Sequence, residues 1–278
     1  MPRFGAVVPY PPTGHPDRLV GGPGTDPIQD AFLRASRPVS ELYSEALADL
    51  DVDGYRSTLR LTCRTTDENA VRVSVMSSKI GFVDELGSIA LPRAVGRLDA
   101  RGRARLALEA IHAAVLVLAD CRSWDAAQFQ RCYDHVVAND FEFRWNGVWK
   151  SSPDRRHQAR ATYRLAADDG FGRVRLSVRE TRSGDVVASS DEAVAFCTSK
   201  GFGRSARTLR WVGSDHVELT PYVGLLGERS GALAARRGPD GWSITLRDDV
   251  VVRRPEGGAD AAPSTGLPAV VATSHTAP

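Results

Sequence analysis

Along this chain the spacing of apolar residues changes period several times, and each change predicts an element. In YRSTLRLTC the apolar side is Tyr55, Leu59, Leu61 and Cys63, and in AVRVSV it is Val71, Val73 and Val75. Alternation of this kind predicts strands with one buried face, and the intervening RTTDEN predicts that the two form a hairpin. The run IGFVDELGSIAL adds a candidate third strand. From Arg103 the period becomes helical: RARLALEAIHAAVLVLAD has no Gly or Pro and is apolar on nearly every side, as a central buried helix should be. Upstream, IQDAFLRASRPVSELYSEALADL predicts a helix interrupted at Pro38. Ser123 is placed to cap a further helix, WDAAQFQRCYDHVVAN, with Asp125 in its first turn.

A second strand-rich block follows in FEFRWNGVW, QARATYRL, RVRLSVRE, DVVASSDEAVAFC and ARTLRWV. Its buried side is Ala159, Ala161, Tyr163 and Leu165, then Val174, Leu176 and Val178. Short strands around HVELT, WSITL and VVV complete the pattern. LRL at 59–61 and VRVSV at 71–75 resemble YRL at 163–165 and VRLSV at 174–178, an echo that an internal duplication would leave. The predicted class is α+β: a mostly antiparallel sheet from two hairpin-rich blocks, packed on a long central hydrophobic helix. Residues 1–28, rich in Pro and Gly, predict a flexible arm, and 255–278 a disordered tail. Between them 29–254 form the α+β domain, divisible into related halves near 29–122 and 123–254.

Composition narrows the functional classes. A hydrophobic fraction of 42% supports a real core, and a formal charge of +2 excludes a histone-like polycation. Lys79, Lys150 and Lys200 are the only lysines among 36 cationic residues, the bias a GC-rich bacterial genome produces. No secretory leader or membrane-spanning run is visible, so a cytoplasmic setting is expected, with Cys63, Cys121, Cys132 and Cys197 as free thiols.

The tetrapeptide GFGR occurs at 170–173 and again at 201–204. The first follows two aspartates between alternating runs, so it predicts a hairpin turn. The second lies in TSKGFGRSAR, a basic stretch without acids that predicts a loop able to hold an anion on Lys200, Arg204 and Arg207. Neither copy is a Walker loop or a dinucleotide fingerprint, and no cofactor is expected. No GxSxG or HExxH signature points to catalysis. Cys121, Cys132 and His135 lack a fourth metal ligand, and His112 reads as a satisfied buried histidine.

The distributed signal is arginine. Arg56, Arg60, Arg64 and Arg72 lie on the polar side of the first block, and Arg160, Arg164, Arg173, Arg175 and Arg179 on that of the second. Acids cluster upstream instead, at Glu41, Glu45, Asp49, Asp51 and Asp53. Trp145, Trp149, Arg144, Arg155, Arg156 and His157 crowd one further segment, with the composition of an interaction surface. Aromatics that stack bases are not interleaved on the arginine faces themselves. The leading expectation is a non-catalytic binding or scaffolding protein using an Arg-rich sheet face for an acidic protein partner or self-association. A nucleic-acid-binding module is the second, and an enzyme or binder of a small anionic ligand at 198–207 is the third.

Overall fold

The computed structural model describes residues 3–12, 26–54, 57–77, 84–168, 170–222, 232–247 and 266–276. Arg56 and the VVV run at 250–252 lie outside them. The chain divides into two compact units, residues 1–143 with 166–170 and 255–278, and residues 144–165 with 171–254. The fold is α+β with several mostly antiparallel sheets.

The first unit contains strand Ala6–Tyr10 (β1), helix Pro27–Ala48 (α1), strands Thr58–Thr66 (β2), Val71–Ser77 (β3) and Glu85–Pro92 (β4), and helices Ala100–Arg122 (α2) and Gln130–Ala138 (α3). Strand Val270–Thr276, numbered β15 because ten strands intervene, closes a sheet of order β1-β2-β4-β3-β15. The predicted β2–β3 hairpin is not formed. β4 lies between them, parallel to β2 and antiparallel to β3. Alternation specifies which side of a strand is buried, not which strand is its neighbour. The run Ile89, Ala90, Leu91 is buried throughout and suits the central position.

The arm and the tail were expected to be irregular, yet each contributes an edge strand. β1 runs parallel to β2 with Phe4 and Val7 buried beside it, and β15 runs parallel to β3 over seven residues. An edge strand needs only a few alternating residues, and the Pro and Gly around them masked that short signal.

Helix α1 continues through Pro38. Asp26 caps it by accepting from the N–H groups of Ile28 and Gln29, and Phe32, Leu33, Ala35, Val39, Leu42, Tyr43 and Leu47 are buried along it. An interior proline costs about 3 kcal/mol, and burying this many large side chains at roughly 1.5–3 kcal/mol each exceeds that cost. Helix α2 buries ten residues as predicted, from Ala104 to Ala119. Ser123 terminates it in the left-handed region (φ 57°) and does not begin the next helix. Asp125 caps the short 3-10 turn Ala126–Phe129 that leads into α3. A buried ion pair from Arg122 to Glu85, 2.6 Å long, ties the end of α2 to the start of β4. No helix among the described residues is long and apolar enough to cross a membrane.

The second unit has two sheets. Strands Phe143–Asn146 (β5), Lys150–Ser151 (β6), His157–Leu165 (β7), Gly172–Glu180 (β8), Val186–Ser189 (β9) and Ala193–Ala195 (β10) form the first, ordered β10-β8-β7-β5 with β6 on β7 and β9 on β8. After helix Ser199–Thr208 (α4), strands Arg210–Trp211 (β11), His216–Leu219 (β12), Ala232–Gly238 (β13) and Gly241–Arg247 (β14) form an antiparallel sheet in chain order. Here the predicted hairpin exists: β7 and β8 pair antiparallel over nine residues, and Gly170 takes φ +65° in the turn. The internal duplication is not shown, because β7 and β8 pair directly whereas β2 and β3 are separated by β4.

The second GFGR is the largest departure from the sequence reading. It lies inside α4 and not in a loop. Thr198 accepts the Gly201 N–H at the start, and the Lys150 ammonium donates to the Ala206 and Leu209 carbonyls at the end. A cation at that end also opposes the helix dipole favourably. Phe202 is fully buried and stacks on Tyr163 with ring centroids 4.5 Å apart. Caps and burial thus override two helix-breaking glycines.

The two glycines should respond oppositely to alanine. A Cβ on Gly201 would meet the Phe196 ring at 2.5 Å, while one on Gly203 meets nothing within 4 Å. Gly201→Ala is expected to destabilise by about 2 kcal/mol, and Gly203→Ala to stabilise by roughly 0.5–1 kcal/mol. Thermal unfolding of the two variants checks this; a similar response from both would contradict the helix.

Candidate anion-binding face

Period-two alternation puts the buried residues of β7 and β8 on one side of the sheet and the polar ones on the other. The polar side carries Gln158, Arg160, Thr162 and Arg164 from β7 against Arg179, Ser177, Arg175 and Arg173 from β8. Arg164 and Arg173 are direct register partners. Like charges at that spacing repel.

Glu192, from the segment before β10, relieves the repulsion. Arg164 holds it in a forked pair, Nε to Oε1 at 3.2 Å and Nη2 to Oε2 at 2.9 Å. That bond, reinforced by the charges of Arg175 and Arg173, holds the Glu192 carboxyl below its ordinary range against the opposing effect of burial. One carboxylate therefore serves three guanidinium groups.

Further along the face, Trp149 enters from the segment between β5 and β6. The guanidinium carbons of Arg160 and Arg179 stand 4.5 and 4.1 Å from its ring centroid. Each such contact contributes on the order of 0.5–2 kcal/mol. Arg179 also donates twice to the Gln158 carbonyl, at 2.9 and 2.7 Å. An aromatic thus does lie on this face, supplied by the segment just before β7 and not by the alternation of the strands themselves. The Trp-rich segment splits, since Trp145 packs instead on Tyr163 with centroids 5.3 Å apart. Among the described residues, Arg160, Arg175 and Arg179 form no ion pair with a carboxylate.

The other predicted residues do not join this group. In the first unit Arg60 pairs with Asp84 at 2.6 Å and Arg72 pairs with Glu68, so each is matched one to one. Arg64 is exposed on β2. Of the upstream acids, Glu45 faces His135 at 3.2 Å and Asp51 pairs with Arg3 at 2.5 Å. Lys200, Arg204 and Arg207 form an exposed stripe along α4, on the opposite side of the six-stranded sheet from Arg164. They do not converge on one point. Arg204 donates to the Tyr222 hydroxyl at 2.9 Å, and Arg207 donates to the Gly203 carbonyl within its own helix.

Charge is partitioned between the units. Residues 144–165 and 171–254 carry 20 Lys and Arg against 11 Asp and Glu, a balance of +9. The rest of the chain carries 16 against 23, a balance of −7. The small net charge of the whole molecule conceals this.

A cleft of about 250 Å³ in the second unit is lined by Ala188, Ser189, Ser190, Asp191, Trp242 and Ile244. It offers one carboxylate and two hydroxyls, and the His157 ring packs edge-on against its Trp242 with centroids 5.1 Å apart. Burial pushes the Cys63 and Cys132 thiols up to about 12, which suppresses the nucleophilic thiolate. His112 bonds the Tyr43 hydroxyl through Nδ1 at 3.0 Å, and burial lowers its pKa. No group of three or more His, Cys, Asp or Glu among the described residues is placed to hold a metal ion. The chain matches no protein-family model, no curated protein and no solved structure.

Glu192→Gln tests the shared carboxylate. Because the folded carboxyl is depressed below its ordinary 4.5, its contribution is present above that pH and is lost as pH falls through the lower folded value. The partly exposed pair is expected to contribute about 1 kcal/mol. Melting temperatures of the two proteins should differ near neutrality and converge in acid. Parallel curves at all pH values would remove Glu192 from this role.

Proposed function

We propose that this protein is a non-catalytic binding protein whose second unit receives an acidic protein partner on the arginine-bearing face of β7 and β8. The observation that carries the reading is the presence on one sheet face of Arg160, Arg175 and Arg179, none of which forms an ion pair with a carboxylate among the described residues, within a unit of balance +9. Guanidinium groups held by Gln158 and Trp149 are oriented before a partner arrives, which lowers the entropy lost on binding. Their fork geometry matches the carboxylates of Asp and Glu. An acidic polypeptide fits better than a nucleic acid. The single aromatic on the face is already engaged by two guanidinium groups, whereas strand-binding sheets present several open rings.

Poly-L-glutamate serves as the probe partner. It is expected to bind at low salt and to weaken steeply as salt is raised. Arg175→Glu combined with Arg179→Glu should reduce affinity about tenfold or more, while Arg64→Glu, the same charge change in the first unit, should alter it less than about twofold. No binding at low salt would overturn the reading. Tighter binding of single-stranded DNA, with a salt slope set by released counterions, would overturn it in favour of a nucleic acid.

A further inference from the structure

The acidic partner has a source on the page. We propose that a second copy of this chain occupies the arginine face, presenting its own first unit. This rests on the binding reading above and names its partner. The two units carry balances of +9 and −7, so each copy contains both halves of a complementary pair. Long-range attraction of this kind orients two molecules before contact.

The acidic surface is built on helices. α1 and α3 lie side by side, joined by the 3.2 Å contact between Glu45 and His135. Glu45 lies in the last turn of α1 and Asp49 caps its end, while Asp134 and Val137 lie one turn apart on α3. All four are exposed. Val137, at 48% exposure, gives the surface an apolar point beside its carboxylates, and burying it against the second copy adds affinity that charge alone does not supply.

The interface is heterologous: one surface meets a different surface on the next copy. That yields a test specific to it. Sedimentation velocity on the full chain should show association that grows with protein concentration at low salt and weakens at roughly 0.5 M NaCl. Arg175→Glu with Arg179→Glu disables the basic side, and Glu45→Arg with Asp49→Arg disables the acidic side. Each double variant alone should be monomeric, with association weakened about tenfold or more. Their mixture should associate again, because it retains one live surface of each kind. A wild-type chain that stays monomeric throughout, or a mixture that stays monomeric, overturns the proposal. If poly-L-glutamate still binds in that case, the acidic-partner reading survives and only the second copy is excluded. Circular dichroism confirms that each variant is folded. Where a reversal unfolds the chain, Arg175→Gln with Arg179→Gln and Glu45→Gln with Asp49→Asn replace it, with the same expected mixture.

Discussion

Two arginines facing each other across neighbouring strands repel, and the second unit is organised around that fact. Arg164 and Arg173 are in register, and Arg175 follows on the same side. The sheet tolerates them because Glu192 reaches back from the segment before β10 and forks onto Arg164. The hydrophobic alternation of β7 and β8 leaves no freedom to move these arginines to the other side, since a one-residue slip would expose Leu176 and Val178. Core packing therefore fixes the charge arrangement. Burial of the reverse side decides which face the arginines occupy, and among the described residues Arg160, Arg175 and Arg179 form no ion pair there.

This separates the two sets of arginines that look equivalent in the sequence. In the first unit Arg60 and Arg72 each have a nearby acid, Asp84 and Glu68, and exposed pairs of that kind contribute little to stability and leave little field. In the second unit Arg160 and Arg179 have a tryptophan and an amide as neighbours instead. Those neighbours orient a guanidinium without cancelling its charge. Orientation without neutralisation is the property on which the proposed binding of an acidic partner rests.

How much was legible in the sequence follows from the range of each interaction. The buried sides of β2, β3, β7 and β8 and the core of α2 are set by residues two to four apart, and all are readable. The pairing of β2 with β4 is decided by which strand best fills the centre, which no local pattern encodes. α4 was hidden because Gly201 and Gly203 lower helix propensity, while the features that hold it, Lys150 at its end and Tyr163 under Phe202, come from elsewhere in the chain. Trp149 was visible as an interaction residue. Its position over Arg160 and Arg179 was not, because it depends on register between three separate segments.

The return of the chain to the first unit has a temporal consequence. β15, the last strand, pairs with β3, so a sheet begun by residues 6–10 is finished only by residues 270–276. During synthesis the whole second unit emerges while β3 still presents an unpaired edge. The second unit, contiguous apart from a five-residue turn, can complete its sheets first. Until residues 270–276 are made, the sheet of the first unit lacks the edge strand that pairs with β3, even though every residue of the second unit already exists.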